Sequence, residues 1–406
     1  MKTEIRTSAL FLLKMLVWVG GCWAVCSCSE KNEDPPAPPV ALVPTVLQSG
    51  QDATGFRLYS QLALKAQDGN LLYSPLSTQM TLGLLLNATP DQARLAQAMG
   101  AEGYSTEAIN QANRLLTERL LEYDKNVTLS LAQAVWGHKD LSIEPAYSRT
   151  VQHYYQAPTA NTDLYAQEGM ETINRWANEH TKGQIEQLYE QAPEKSFVMA
   201  NALYFRGLWQ TPFDAAATQT KPFKNADGSL SNVPAMHTTL TARITDTERF
   251  QVLELPYGTS GSFSLLLFRP KTEGDTAPLT ETEYKQATDE SNTAQHLTAL
   301  QLPKFSIQGK NNLLEALQAL RIIPKEGGMD LSKFTGKDEP LELDSRQHIT
   351  FSTDEAGTTA AATTLTEGIF IDILPEKTFS IDRHFQFVVH YRPSLLPLFI
   401  GRVNSL

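Results

Sequence analysis

The residue types that most often carry out chemistry are poorly placed for catalysis or metal binding in this chain of 406 residues. All three cysteines, Cys22, Cys26 and Cys28, precede residue 29, so the rest of the chain has no thiol nucleophile, disulfide or cysteine-ligated metal. The eight histidines include no pair at i, i+4 spacing, and phosphate-loop, dinucleotide-binding and Gly-x-Ser-x-Gly motifs are missing. We therefore expect a protein that is not an enzyme and has no metal or cofactor.

One stretch has an unusual side-chain chemistry. Residues 354–364, with the sequence DEAGTTAAATT, contain no large side chain after Glu355. A flexible linker usually favours Gly, Ser and Pro. This run has no proline and is rich in β-branched threonine, so it is also compatible with a β-strand. We predict a segment that can exist both as an exposed loop and as a strand.

The elements that must position this stretch are predicted to be helices first and strands later. Helical spacing covers residues 56–66, 108–123 and 171–189, and Ser74 followed by Pro75 marks the start of another helix. Strand patterns occur at residues 197–205, 252–255, 263–268, 302–307, 348–352, 387–390 and 398–403. This order favours a single α+β domain over a doubly wound parallel sheet.

The net charge of −11 and the lack of any run of Lys or Arg predict no binding to nucleic acid or to an anionic membrane surface. The first 27 residues have a positive start and an apolar core that Lys14 interrupts, which is typical of a signal peptide. The following residues, 28–50, are acidic and then proline-rich, and they are predicted to be a tether for a domain spanning 51–406.

The end of the signal peptide resembles the lipobox of bacterial lipoproteins. In that resemblance Cys28, in the sequence VCSC, is the lipid anchor, and Cys22 is the rival site. An ordinary signal peptide with incidental cysteines is the remaining alternative. The acidic residues after Cys28 resemble the leader of some Bacteroidetes lipoproteins, which favours export to the outer membrane with the domain surface-exposed or extracellular. Membrane attachment is then expected only through the lipid.

Several segments, spread over about residues 51–406, together resemble the serpin family of protease inhibitors. In family order they are 70–77 (NLLYSPLS), 201–209 (NALYFRGLW) with Phe213, 255–257 (LPY), 302–305 (LPKF), and 382–385 (DRHF) with 399–403 (FIGRV). The run at 354–364 resembles the hinge of the serpin reactive-centre loop. The resemblance implies an α+β serpin fold of helices and three β-sheets, with that loop exposed at about 355–375.

The resemblance also implies a suicide-substrate mechanism. A target protease cleaves the loop, the hinge inserts into the central sheet, and the bound protease is trapped. The implied partners of a monomeric inhibitor are serine proteases, with papain-like cysteine proteases as an open addition. A non-inhibitory serpin-like surface binding protein and a structural surface lipoprotein are the alternative functions.

Family spacing from Glu355 implies a reactive bond between Ile371 and Asp372, with Phe370 as the alternative one residue earlier. Neither Lys nor Arg occurs in residues 369–372, so a trypsin-like target is not expected. Ile371 suits an elastase-like protease, whereas Phe370 suits a chymotrypsin-like one.

The implied hinge comprises seven small or acidic residues: Glu355, Gly357, Thr358, Thr359, Ala360, Ala361 and Ala362. Alternate residues of an inserting strand face the core, so Thr358, Ala360 and Ala362 would be buried. All three are small and uncharged, which favours an inhibitor over a non-inhibitory relative.

Five positions match family residues that take part in opening the central sheet: Ser74, Ser77, Asn201, Trp209 and Gln347. The family commonly has a histidine where this chain has Gln347. His348 follows directly, but a shift of one residue places a strand side chain on the opposite face of the sheet. We therefore predict that His348 does not take over this position.

Overall fold

The computed structural model describes residues 43–121, 124–289, 291, 293–325, 328–338, 340–358 and 376–406. The α-helices in these ranges are α1 Val43–Ala66, α2 Pro75–Ala88, α3 Ala93–Ala98, α4 Thr106–Leu121, α5 Pro145–Tyr155, α6 Gln167–His180, α7 Glu281–Thr288, α8 Leu313–Ala319 and α9 Ser332–Thr335. The strands are β1 Leu71–Tyr73, β2 Val127–His138, β3 Thr159–Thr162, β4 Phe197–Leu208, β5 Gln219–Lys224, β6 Leu230–Asp246, β7 Phe250–Tyr257, β8 Phe263–Pro270, β9 Thr293–Pro303, β10 Phe305–Asn312, β11 Met329–Asp330, β12 Pro340–Leu341, β13 Leu343–Thr353, β14 Gly357–Thr358, β15 Lys377–Ser380, β16 Phe385–Tyr391 and β17 Leu396–Val403.

The strands form three sheets within the described ranges. The largest has nine strands in the order β1-β17-β16-β8-β7-β6-β9-β15, with β5 also paired to β6. The second has six strands in the order β10-β13-β14-β4-β2-β3, and β11 pairs with β12 in a third. The predicted α+β class with three sheets is confirmed.

Strand β4 of the six-stranded sheet is buried on both faces. Along β4, Leu203 and Phe205 belong to the main core, which also contains residues of α2 and of the nine-stranded sheet. The alternating residues Ala200 and Ala202 point to the other side, into a smaller cluster with Trp176 of α6. This continuous burial explains why β4 has an almost unbroken apolar sequence.

Helix α2 begins as its sequence predicts. The Ser74 hydroxyl accepts a hydrogen bond from the backbone N–H of Ser77 at 3.2 Å, and Pro75 occupies the first helical position, where its missing N–H is not needed. The helix is buried along almost its whole length, which places its start directly against the six-stranded sheet.

Two predicted elements are wrong. The helix predicted over 171–189 ends at His180, because Lys182 and Gly183 adopt positive φ values of 54° and 80°. The strand predicted over 302–307 is divided at Lys304, whose backbone N–H donates to the carbonyl of Pro234. The chain leaves the nine-stranded sheet there and enters the six-stranded one, so one apolar pattern serves two sheets.

Two further observations concern the N-terminal part. Helix α1 begins at Val43, inside the segment 28–50 that was predicted as a tether. In the described ranges we found no helix that combines the length and the apolar character needed to span a membrane.

Candidate functional site

The hinge begins with a tight turn at the end of β13. The backbone N–H of Asp354 donates to the carbonyl of Gly357 at 2.8 Å, and the Asp354 carboxylate accepts from the N–H groups of Ala356 and Gly357. An aspartate that binds the backbone two residues ahead is a recurrent way of stabilising a turn. The turn returns the chain antiparallel to β13, with Thr358 opposite Thr353.

Strand β14 lies between β13 and β4 and pairs with both. On the β4 side, Gly357 is opposite Leu208 and Thr358 is opposite Gly207. Beyond β14, β13 and β4 pair directly and in parallel, from Leu343 opposite Phe197 to Thr350 opposite Tyr204. We call the boundary between β13 and β4 the seam. β14 therefore occupies one end of the seam, and direct pairing closes the seam from Leu343 to Thr350 of β13.

Thr358 occupies a fully buried site at the β14 end of the seam. Its hydroxyl lies 2.6 Å from the Tyr257 hydroxyl, and the Tyr257 ring stacks on Trp209 with centroids 4.5 Å apart. Burial raises the pKa of Tyr257 above its ordinary value, so this phenol stays neutral and shares a hydrogen bond with Thr358. The site accepts one small hydroxyl side chain.

Trp209 also binds the turn that precedes β14. Its indole N–H donates to the carbonyl of Asp354, and its backbone N–H donates to the carbonyl of Ala356, both at 2.9 Å. Trp209 therefore lies at the end of the sheet where the hinge enters.

Backbone atoms approach closely where β14 meets β4. A Cβ atom placed on Gly357 would lie 2.1 Å from the carbonyl oxygen of Gly207. A Cβ atom on Gly207 would lie 2.7 Å from the ring of Tyr257. Both distances are far below van der Waals contact, so the hinge can enter here only because both positions are glycine.

Glu355 anchors the outer side of the turn. Its carboxylate forms an ion pair with Lys304 at 2.8 Å and accepts a hydrogen bond from the Thr218 hydroxyl at 2.7 Å. Burial acts to raise the pKa of Glu355, but the hydrogen bonds from Lys304 and Thr218 outweigh it and lower the pKa. The Glu355 backbone carbonyl also accepts from the N–H of Phe213.

Gln347 connects β13 to the start of α2. Its side-chain oxygen accepts from the Ser74 backbone N–H at 3.0 Å, and its amide nitrogen donates to the Ser74 carbonyl at 2.9 Å. The same oxygen accepts from the Asn311 side chain at 3.0 Å. Gln347 therefore provides the donor and acceptor that Ser74 uses.

Asn201 connects β4 to the same helix. Its side-chain amide donates to the Thr81 hydroxyl at 2.7 Å, and that hydroxyl donates to the carbonyl of Ser77. Since Gln347 and Asn201 are directly opposite each other across the seam, α2 is bonded to both of its sides. Separating the two strands must strain or break at least one of these connections.

His348 lies on the opposite face of the sheet from Gln347. Its Nδ1 lies 3.2 Å from the backbone carbonyl of Gln187, in the segment that follows α6. Burial, together with the nearby charge of Lys310, lowers the pKa of His348 to about 4. It is neutral at physiological pH and does not contact Ser74.

Part of the predicted site lies outside the described residues. This applies to Thr359, Ala360, Ala361 and Ala362 of the hinge, to Phe370, Ile371 and Asp372 at the reactive bond, and to Cys22 and Cys28. Their roles stay predictions. Within the described ranges, no three His, Cys, Asp or Glu side chains are grouped so that they could hold a metal ion.

Several residues of the site were not predicted. Tyr257 lies in the LPY segment that contributed to the resemblance, but nothing in the sequence indicated that its hydroxyl would meet Thr358. Thr81 and Asn311 carry no local signal either, because their partners are more than 30 residues away along the chain. Such contacts depend on the tertiary fold.

The fold and the site define a protein whose central sheet holds the start of a hinge from its own chain. A family model described as "Serpin (serine protease inhibitor)" matches residues 49–406. The chain belongs to the serpin family.

Curated relatives extend over most of the chain. The mouse leukocyte elastase inhibitor A is 28% identical over 378 residues, which cover 88% of this chain and 99% of that protein. Iripin-2 of Ixodes ricinus is 29% identical, with coverage of 89% and 94%. Plasminogen activator inhibitor 1 of Neovison vison is 27% identical, with coverage of 86% and 90%. Relatives named as protease inhibitors support the same general activity here.

Solved structures show the same fold at low sequence identity. Human thyroxine-binding globulin, in a structure of its complex with thyroxine, has a TM-score of 0.79 at 23% identity, and the match covers 89% of this chain and 99% of that chain. The thermophilic serpin tengpin in its native state has a TM-score of 0.76 at 22% identity, with coverage of 93% and 96%.

Proposed function

We propose that this protein is a suicide-substrate inhibitor that presents residues 359–375 to a serine protease and then inserts its cleaved hinge between β13 and β4. The observation that carries the proposal is the position of β14, whose two residues already pair with both strands. Further insertion needs no new entry point, because each added residue extends a ladder that has begun.

The proposed reaction begins as ordinary proteolysis. The protease serine oxygen bonds to the carbonyl carbon of Ile371, the peptide bond to Asp372 breaks, and the released amine takes the proton. Thr358 and Ile371 span 14 residues, so full insertion as a strand carries the acyl-enzyme roughly 46 Å at about 3.3 Å per residue. Hydrolysis of the acyl bond needs an aligned oxyanion hole, so a protease distorted on arrival stays attached.

The proposed targets are elastase-like or chymotrypsin-like proteases. Ile371 fits an aliphatic specificity pocket, and Phe370 fits an aromatic one if the cut lies one residue earlier. The names of the mouse and rat relatives, leukocyte elastase inhibitor A, favour the first alternative. Papain-like cysteine proteases, which also form an acyl-enzyme, are the further target class to be tested.

Incubation of residues 43–406, which include the whole of α1, with elastase or chymotrypsin is expected to give a complex that survives boiling in SDS, because an ester bond joins the partners. Trypsin is expected to give none, and papain is run as the fourth protease. Elastase whose active-site serine is chemically blocked is the matched control and should give no complex. Clean cleavage without any complex would instead indicate a non-inhibitory serpin, and an uncut chain would indicate a structural protein.

We further propose that Cys28 is lipid-modified and tethers the domain to the outer membrane. In a bacterial host fed labelled palmitate, Cys28→Ser is expected to lose the label and leave the membrane fraction, while the matched variant Cys22→Ser keeps both. The opposite pattern would assign the anchor to Cys22, and an unlabelled wild-type protein would overturn lipidation. Labelling of intact cells with a membrane-impermeant biotin reagent tests surface exposure.

A further inference from the structure

The loop between β7 and β8, residues 258–262, binds a carboxylate from a distant part of the chain. One oxygen of Asp124 accepts hydrogen bonds from the backbone N–H groups of Thr259 and Ser260, both at 2.8 Å. The Ser260 hydroxyl donates to the same oxygen at 2.9 Å. Successive backbone N–H groups that converge on one point form an anion-binding site, and in this protein the site holds a side chain of the protein itself.

The backbone of the loop is shaped around this carboxylate. Gly258 has a positive φ of 69°, and a Cβ atom at this position would overlap the Asp124 carboxylate. Burial acts to raise the pKa of Asp124, but the hydrogen bonds from Ser260 and Asn126 outweigh it and lower the pKa. Asp124 is therefore an anion at physiological pH, and the loop stabilises that charge.

Asp124 joins the two large sheets. It lies three residues before Val127, the first residue of β2, which belongs to the six-stranded sheet. The loop that binds it connects two strands of the nine-stranded sheet. The other carboxylate oxygen accepts from the backbone N–H of Asn126 at 2.9 Å. One carboxylate therefore fixes both the turn that leads into β2 and the loop of the other sheet.

The two segments that Asp124 joins also hold the end of β4. Leu208, the last residue of β4, donates its backbone N–H to the carbonyl of Asn126 at 3.1 Å. The carbonyl of Leu208 accepts from the N–H of Gly258 at 2.8 Å. Both backbone partners of Leu208 therefore lie next to residues that the Asp124 carboxylate binds.

Leu208 leads directly into the site that receives the hinge. Trp209 follows it and forms a backbone bridge with Tyr257, whose ring stacks on the indole at an interplanar angle of 11°. Tyr257 directly precedes the loop, and its hydroxyl contacts Thr358. Both aromatic residues of the hinge site are thus attached to elements that Asp124 holds in place.

We propose that Asp124 is a positioning residue for the hinge, which by binding in the β7–β8 loop keeps Trp209 and Tyr257 where they receive Thr358. This inference rests on the proposed function and deepens it, because it assigns a role in insertion to a residue outside the hinge site. Without the carboxylate, the loop donors lose their acceptor and the start of β2 loses its connection to the nine-stranded sheet. The hinge site then loses its shape, and insertion slows.

The test compares Asp124→Ala with the matched variant Asp227→Ala. Asp227 also accepts from a backbone N–H and a hydroxyl, both of Ser229, but this contact stays within the turn between β5 and β6. For Asp124→Ala we expect a changed Trp209 fluorescence and a rise of about two- to tenfold in the number of inhibitor molecules consumed per elastase trapped. Asp227→Ala should match the wild type in both measurements. The same comparison in a Trp209→Phe background assigns the fluorescence change to Trp209.

Formate supplies a readout that a merely structural loss would not move. The alanine side chain leaves the loop donors without their acceptor, and formate carries the carboxylate that the substitution removes. Excess sodium formate should return the fluorescence and the trapping of Asp124→Ala towards the wild type, whereas sodium chloride at the same ionic strength should not. Asp124→Asn, which keeps an acceptor oxygen but lacks the charge, should fall between the wild type and Asp124→Ala.

The outcomes separate the two proposals. If the wild type traps no elastase, the proposed function fails, whereas a fluorescence change that formate reverses would still support the positioning of Trp209 by Asp124. If the wild type traps elastase and Asp124→Ala traps it equally well, only the positioning role is overturned. Equal effects in Asp227→Ala, or no recovery in formate, would overturn it too, since a general loss of stability would then explain the result.

Discussion

Thr358→Arg is expected to abolish protease trapping and to be cleaved as an ordinary substrate. The wild-type side chain is fully buried, and its hydroxyl is held by Tyr257 beneath the stacked Trp209. Burying an uncompensated charge there costs several kcal/mol, which is sufficient to slow insertion by at least about tenfold relative to deacylation. The number of inhibitor molecules consumed per protease trapped, measured by titration of active elastase, should also rise by at least about tenfold.

A conservative variant separates this effect from general damage to the hinge. Thr358→Ser keeps the hydroxyl that faces Tyr257 and should trap protease almost as efficiently as the wild type. The cleavage site, located by mass spectrometry, should be the same in both variants, because the substitution lies outside the reactive bond. If Thr358→Arg still traps protease with unchanged stoichiometry, insertion through the β13–β4 seam is not the mechanism.

Gly357→Val is expected to displace β14 from the sheet and to cause a comparable loss of trapping. A Cβ atom at this position would lie 2.1 Å from the backbone oxygen of Gly207, and backbone cannot move aside as a flexible side chain can. The conflict persists in the inserted state, because Gly357 stays opposite Leu208 and therefore keeps its close approach to the neighbouring carbonyl of Gly207. Trapping should again fall by at least about tenfold, since overpacking at a tight contact costs roughly 1 to 3 kcal/mol or more.

The displacement can be observed directly. Trp209 donates two hydrogen bonds to the turn before β14, so its fluorescence should change when β14 leaves the sheet. Ala356→Val is the matched control, since it adds a branched side chain at a neighbouring residue that is partly exposed. That variant should retain both the wild-type fluorescence and trapping. Normal trapping by Gly357→Val would show that β14 need not occupy this site.

The sequence predicted the local elements where one strong signal dominated. Ser74 with Pro75 marked the start of α2, and the apolar run over 197–205 marked the strand β4. The strand prediction failed at residues 302–307, because an apolar pattern of this kind can belong either to one strand or to two successive strands in different sheets. Apolar residues on both sides of Lys304 indicated one strand, but the chain changes sheets there, and local periodicity contains no information about which sheet a strand joins.

The order of elements was also simpler in the prediction than in the structure. Strand β2 lies among the early helices and pairs along almost its whole length with β4, yet it was not predicted. Val127, Leu129 and Leu131 alternate with Thr128 and Ser130, which is the period-2 pattern of a strand, so a local signal was present but was not used. The predicted order, with helices first and strands later, therefore gave the correct class of fold but missed β2, a strand of the central sheet.

The sequence alone determined that residues 354–364 suit both a loop and a strand, and its motifs indicated the serpin family. It also placed Gln347 and His348 on opposite faces, because alternation along a strand is a local property. Only the tertiary structure decided that the hinge has already entered the sheet by two residues, that the Tyr257 hydroxyl contacts Thr358, and that Gln347 and Asn201 lie opposite each other further along the seam. These features join residues far apart in the chain, and their geometry exists only once both strands, β7 and α2 have packed together.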